Sequence, residues 1–249
     1  MNKLLAFWSP SHAGATTLLL NTAAALGSRF GNVVAVDLNL PTPSLALYAD
    51  LLPHSDPQRT CLSRLMPAID AGRVTPDLLA RHLVQGPGFA LLPGMLDVGL
   101  GSRFSEAHVR TLLTALASWF DLVLVDVTPA LDSIACLPVL EMADRVGLVV
   151  GPEIASRFHT RRNLVVLRST RLAQRLSLVL NRTGSIDPRQ VAQEMEIPVA
   201  ASVPPLNMMN DLTDSGRIAY TVGGVLPAMT RFRAAVDQLA TLMLRRDQE

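Results

Sequence analysis

"AFWSPSHAGATTLLLNTAAAL", residues 6–26, is the stretch from which the fold is read. A short apolar run ends at Trp8, a polar turn follows, and a helix-forming run begins at Thr16 and Thr17. Strand, tight loop and helix in that order are the layout of a phosphate-binding loop. There, consecutive backbone N–H groups converge at a helix N-terminus, a lysine adds charge on the outer phosphates, and a Ser or Thr hydroxyl meets magnesium. Gly14 and Thr16 are in place, with Thr17 behind, but the position before Thr16, where such a loop carries its lysine, is Ala15. One glycine and two threonines also fit an ordinary strand–turn–helix, so the rest of the chain has to decide.

Working outward, apolar runs recur at 4–9, 32–38, 89–94, 120–127, 145–151, 176–181 and 197–204. They are continuous rather than alternating, which is the signature of strands buried on both faces of a parallel sheet. Helical patterns fill the gaps at 16–29, 105–118, 155–173, 187–195 and 228–246, with Ser105 placed to cap the second of them. The alternation predicts an α/β, doubly wound, mostly parallel sheet of about seven strands flanked by helices. Residues 40–104 are the least regular and are expected to add short helices. No internal repeat or linker divides the chain, and residues 1–249 read as one domain.

Composition narrows the function. With 249 residues, 49% of them apolar and 17% charged, the chain can bury a large core and is not disordered. A net charge of +1 gives no global attraction to nucleic acid or membrane. No apolar run reaches the roughly 18 residues of a membrane span, and the N-terminal run ends too early for a secretion signal, so a cytoplasmic location is expected. Cys61 and Cys136 lack ligand spacing and are expected to be buried thiols. Of 22 Lys and Arg residues only Lys3 is lysine, and it begins the first strand, opposite the loop.

In a doubly wound sheet ligands sit at the carboxyl ends of the strands. The segments to read are therefore Ser9 to Thr17, Asp37 to Ser44, Asp126 to Asp132, Pro152 to Ser156, Asn181 to Arg182 and Pro204 to Leu206. Several carry a resemblance. "VVAVDLNLPTPSLALYADL" (33–51), "FDLVLVDVTPALD" (120–132), "LEMADRVGLVV" (140–150), "SLVLNR" (177–182) and "EIPVAASVPPL" (196–206) resemble, in order, successive motifs of the ParA/MinD superfamily. They look most like the TadZ/CpaE group, which localises pilus assembly.

The resemblance implies a nucleotide site for ATP or ADP with magnesium. Ser11, His12, Ala13, Gly14, Ala15, Thr16 and Thr17 would cradle phosphate, Asn181 and Arg182 with Pro204 would meet the base, and Thr16, Asp37 and Asp126 would serve the metal. It also shows losses. The family loop reads Lys-Gly-Gly-Val-Gly-Lys-Thr-Thr; residues 10–17 read Pro-Ser-His-Ala-Gly-Ala-Thr-Thr. The lysine that crosses to a partner's nucleotide falls on Pro10, the loop lysine on Ala15, and a carboxylate that positions water on Asn39. Thr128, Pro129 and Ala130 replace Pro-Pro-Gly, so the backbone there lacks the glycine that permits close approach to a phosphate. No catalytic residue is expected to survive.

The expected role is a non-hydrolysing localisation or assembly factor for a pilus or secretion machine, recruited to a cell pole or the inner face of the membrane and forming a homodimer. TadZ/CpaE proteins usually carry a receiver-like domain ahead of this one, and none is expected within residues 1–249. Two alternatives stand: a working partition- or division-type ATPase, and a DNA-binding regulator. The latter would use Arg157, Arg161, Arg168, Arg171 and Arg175, which fall at helical spacing in a segment, 154–186, that contains no Asp or Glu. A solvated or partner-pairing helix face is the other reading of those arginines. The C-terminal helix, with Phe232, Val236, Leu239, Leu242 and Met243 as its apolar stripe, is expected to pack on the sheet, and Arg245 and Arg246 would suit its C-terminus.

Overall fold

The computed structural model describes residues 2–52, 61–95, 103–184 and 186–245. Every apolar run forms a strand: β1 (Lys3–Trp8), β2 (Val33–Leu38), β4 (Ala90–Leu92), β5 (Leu122–Val127), β6 (Arg145–Val150), β7 (Leu176–Asn181) and β8 (Val199–Val203). An eighth, β3 (Val84–Gln85), pairs antiparallel with β4 and is too short to leave an apolar pattern. The sheet order is β3-β4-β2-β5-β1-β6-β7-β8, and every pair but β3 with β4 is parallel.

Burial on both sides explains the unbroken runs. Leu4, Ala6 and Trp8 of β1 join one apolar layer, and Leu5 and Phe7 join the other. The Leu5 side is covered by α1 (Ala15–Gly27), α2 (Leu45–Tyr48), α9 (Met209–Asp214) and α10 (Pro227–Leu244). The Leu4 side is covered by α3 (Leu62–Asp70), α4 (Pro76–Ala80), α5 (Glu106–Trp119), α6 (Cys136–Met142), α7 (Ile154–Leu167) and α8 (Pro188–Met195). Both cysteines are buried and outside any disulfide, and burial pushes the Cys136 thiol up to about 12, with Asp132 adding to the rise. Among the described residues no helix is long and apolar enough to cross a membrane.

Helix ends follow local chemistry. Ser105 caps α5: its Oγ accepts from His108 N at 3.4 Å, and His108 Nδ1 accepts from Ser105 N at 3.0 Å. Histidine thus takes the part of Glu or Gln in a capping box, and its Nε2 lies 2.8 Å from Asp70. Ser105→Ala is expected to cost about 1 kcal/mol, read as a lower urea midpoint with an unchanged slope.

Two helical expectations are corrected. The helix foreseen over 155–173 stops at Leu167, and a 3₁₀ turn follows over Arg171–Arg175. Ser169 Oγ and Thr170 Oγ1 donate back to Val166 O (2.9 Å) and Leu167 O (2.6 Å), and Thr170 Oγ1 accepts from Leu172 N (3.2 Å). Such local bonds compete with the helical ladder and end it. The C-terminal helix packs on the sheet as expected but stops at Leu244, and Leu242 is only half-buried. Its last carbonyls are met by Lys3, whose Nζ donates to Leu244 O (2.7 Å) and Arg245 O (3.1 Å). Arg246 lies outside the described residues.

Candidate functional site: a phosphate-type loop between two cavities

The carboxyl ends of β1, β2 and β5, three adjacent strands, set the site. Parallel register places Asp126 beside both Phe7 and Asp37. The loop from Ser9 to Gly14 leaves β1 and enters α1. Its turn needs left-handed backbone at His12 (φ 54°) and Gly14 (φ 91°). At Gly14 a side chain is also excluded by space, since a Cβ would lie 2.6 Å from Asn181 Nδ2.

Hydrogen bonds hold this loop from behind. Ala13 N donates to Ser9 Oγ at 2.9 Å, and Asn181 Nδ2 donates to Ala13 O at 2.8 Å. Ser11 Oγ lies 2.7 Å from Ser156 Oγ, which accepts from Gly151 N at 2.9 Å. Ser11 is therefore turned toward α7. In front, Leu18 N makes the first intrahelical bond, to Gly14 O at 3.0 Å. The N–H groups of Ala15, Thr16 and Thr17 precede it and have no helical acceptor, the condition that makes a helix N-terminus attractive to anions.

Two carboxylates lie beneath. Asp37 and Asp126 are both 1% exposed. Asp37 accepts from Asn39 N (3.1 Å), Ser44 N (2.8 Å) and Leu45 N (3.0 Å), and so anchors the segment after β2. Burial nevertheless raises it from 3.8 to about 6. Asp126 is pushed well above the usual carboxylate range, by burial first and by Asp37 second, although it accepts from Thr16 Oγ1 at 2.9 Å. Two buried acids share this corner, and residue 15, the loop position beside them, is alanine and brings no charge to neutralise them.

The loop divides two cavities. One, of about 310 Å³, is lined by Thr16, Ala15 and Asp126 with Ser9, Asn39 and Thr42. Within it Asn39 is 7% exposed and, among the described residues, its Oδ1 has no hydrogen-bond partner. The other, of about 280 Å³, is lined by Asn181, Arg182 and Pro204 with Leu206, Met209 and Phe232. His12, Gly14 and Thr17 face both. The structure thus brings Gly14 to Thr17, His12, Asp126, Asn181, Arg182 and Pro204 to one place. Ser11 and Ala13 line neither cavity, and Asp37 stands behind the wall rather than in it.

The donor set tests the fit of a magnesium nucleotide. Magnesium is commonly held by one or two carboxylates, with phosphate and water completing its shell. Here Asp126, Thr16 and the unpartnered Asn39 oxygen surround a cavity beside free helix N–H groups, and those residues fit. Among the described residues no cluster of three or more His, Cys, Asp and Glu exists, so no all-protein metal cage competes with that reading.

Among the described residues no lysine or arginine lines the cavity beside Thr16. Lys3 is at the far end of β1, on the carbonyls ending α10. Arg182 pairs with Glu153 at 2.8 Å. The arginines of 154–186, expected as one basic face, are largely consumed within the fold. Arg157 pairs with Glu194 (2.9 Å), Arg168 with Glu196 (2.7 Å), and Arg175 donates to Glu141 O (2.6 Å) and Ala143 O (3.1 Å). The sequence showed no acid among them because their partners come from α8 and its cap and from the carbonyls ending α6. Once the helix ends at Leu167, Arg168, Arg171 and Arg175 no longer share the helical spacing that grouped them.

Some site residues had no strong signal in the sequence. Ser9, Thr42 and Ser156 fall in strand-end segments and could be suspected from position alone. Met209 and Phe232 reach the second cavity from α9 and α10, and only packing reveals them.

The sequence matches no protein-family model, and no curated protein is similar to it. Solved structures are similar in fold. A ParA family ATPase from Chlorobium tepidum superposes with a TM-score of 0.84 at 22% identity, covering 97% of this chain and 99% of that one. The cell division ATPase MinD of Pyrococcus furiosus gives 0.77 at 24% identity over 98% of each chain. The septum site-determining protein MinD from Pyrococcus horikoshii, solved with Mg-ADP, gives 0.75 at 22% identity over 96% of this chain and 95% of that one.

Proposed function

We propose, for a chain that has the fold of the ParA and MinD ATPases, that it is a nucleotide-holding scaffold without appreciable hydrolysis, acting as a localisation or assembly factor. One observation carries this reading. The backbone of the phosphate loop is kept, with its left-handed Gly14 and its Thr16–Asp126 contact, while residue 15 is a buried alanine and no lysine is within reach. Affinity can survive on backbone N–H groups and a metal, whereas phosphoryl transfer depends on positioned charge.

In this reading the N–H groups of Ala15, Thr16 and Thr17 hold phosphate. Asn181, Arg182 and Pro204 line the space for the base. Thr16 and Asp126 hold magnesium, with Asp37 supporting them from behind. The metal would offset phosphate charge against the two buried acids. Bound ATP or ADP would stabilise one conformation or a homodimer, and Pro10 supplies no cation to tie such a dimer across the nucleotide. The TadZ/CpaE-like motifs favour a pilus or secretion machine as the client, reached in the cytoplasm at a pole or membrane face. A working partition- or division-type ATPase is disfavoured by Ala15. DNA binding through Arg157, Arg161, Arg168, Arg171 and Arg175 is disfavoured by the ion pairs of Arg157 and Arg168.

Calorimetric titration with magnesium ATP and then ADP tests the reading. The expected result is a 1:1 isotherm at about micromolar affinity with no phosphate released. Asn181→Ala should then weaken binding about tenfold, since it removes a ligand contact and the brace on Ala13 O. Absence of heat up to millimolar nucleotide would overturn it.

A further inference from the structure

His12 borders both cavities, and nothing in the fold engages its side chain. It holds left-handed backbone (φ 54°), a region that residues other than glycine seldom occupy. Among the described residues no hydrogen bond or ion pair involves its exposed imidazole. Its surroundings point to a ligand. The Asn39 oxygen, buried and without a hydrogen-bond partner among the described residues, lines the cavity of about 310 Å³. A buried acceptor left open beside a cavity calls for a bound group to complete it. A molecule spanning that cavity and the one of about 280 Å³ at Asn181 passes beside His12.

Charge selects the part of the ligand that His12 meets. Among the described residues lining the two cavities, only His12 and Arg182 can carry positive charge. Arg182 is held by Glu153 at 2.8 Å and lines the Asn181 side alone. His12 lines the side of Ala15, Thr16 and Thr17, whose N–H groups have no helical acceptor and attract anions. The titratable groups facing that side with it are Asp126 from the end of β5 and Tyr48 of α2, with Asp37 behind the wall. An imidazolium at this place can donate a charged hydrogen bond to a phosphate oxygen.

We propose that protonated His12 contacts the phosphate chain of the nucleotide and supplies charge that Ala15 does not, so that the protein holds nucleotide more tightly as pH falls from 8 to 6. This rests on the nucleotide reading above. Histidine gains its charge over that interval, and a complex that binds more protons than its separate parts is favoured by acid. Asp37 and Asp126 act the other way, because a protonated carboxyl serves the metal less well. A comparison with a variant at residue 12 alone cancels their share and that of the nucleotide.

The test is calorimetry of the full chain with magnesium ADP at pH 6 and pH 8, repeated in two buffers of different ionisation heat. Wild type is compared with His12→Asn, since asparagine tolerates left-handed backbone and carries no charge. The variant should bind about tenfold more weakly at pH 6 and nearly as well as wild type at pH 8. Wild type should take up protons on binding near pH 7, and the variant should take up fewer. His12→Arg, charged at every pH, should bind at pH 8 as tightly as wild type does at pH 6. Equal binding by wild type and His12→Asn at both pH values would overturn the proposal and leave the nucleotide reading standing. An equal loss at both pH values would overturn it in favour of a purely structural role. Adenosine losing as much affinity as magnesium ADP in His12→Asn would overturn it in favour of a contact with the base. No heat from wild type up to millimolar magnesium ADP would overturn it together with the nucleotide reading.

Discussion

Replacing Ala15 with lysine should raise the affinity for magnesium ATP by about tenfold to a hundredfold and leave phosphate release at background. Residue 15 opens α1 and lines the cavity that contains Thr16 and Asp126. An ammonium entering there would meet phosphate oxygens beside two buried acids. A hydrogen bond to a charged group is worth about 1.5–3 kcal/mol, which sets the expected gain. Hydrolysis demands more. In phosphoryl transfer a cation supplied to the transition state contributes on the order of 10³ to 10⁵ in rate, and a second group must orient the nucleophile. Pro10 and Asn39 would still supply neither. Calorimetry with a coupled phosphate assay reads both quantities. An unchanged affinity would mean that the loop does not receive phosphate, and restored turnover would mean that the losses at Pro10 and Asn39 are unimportant.

The nucleotide-free protein should lose stability as pH rises through the window from about 4 to 6, and magnesium should return part of it at neutral pH. Asp37 titrates near 3.8 in the unfolded chain and at about 6 in the folded one. Between those values the native state holds a proton that the unfolded chain has released, so stability falls with rising pH. The difference is worth roughly 3 kcal/mol once both forms are ionised. Asp126, pushed well above the usual carboxylate range by burial and by Asp37, adds to the fall. Protonation acts on the whole chain and not on this corner alone. The reading is therefore the difference in melting temperature between wild type and Asp126→Asn. That difference should widen in favour of the variant from about pH 5 to pH 7.5. Added magnesium should narrow it at the upper pH and do little at the lower. A difference independent of pH would sink the idea that two acids share this corner uncompensated.

Both predictions begin from residues that the sequence exposes directly. Continuous apolar runs are legible because a central parallel strand buries both faces, so seven of the eight described strands follow from the pattern of apolar residues alone. The loop is legible only in company: Gly14 and Thr16 also fit an ordinary turn between a strand and a helix, and the motifs at 33–51, 120–132 and 177–182 decide between the two. Alanine at residue 15 and proline at residue 10 are plain chemical absences, and no packing can restore a charge that the chain does not encode.

What the tertiary structure decided concerns partners distant in sequence. The arginines of 154–186 looked free because local sequence offers them no acid; folding brings Glu194 and Glu196 to Arg157 and Arg168 and leaves Arg161 and Arg162 as the exposed pair on α7. Asn181, read as a contact for a base, also donates to Ala13 O across 168 positions of chain and so braces the loop. The end of α7 at Leu167 was decided by two hydroxyls bonding back to its own carbonyls, against a pattern that favoured more helix. Periodicity records which face of an element is buried, because burial acts on every turn. It does not record which charge meets which, because a single ion pair contributes little and leaves no repeat; only the folded chain supplies that.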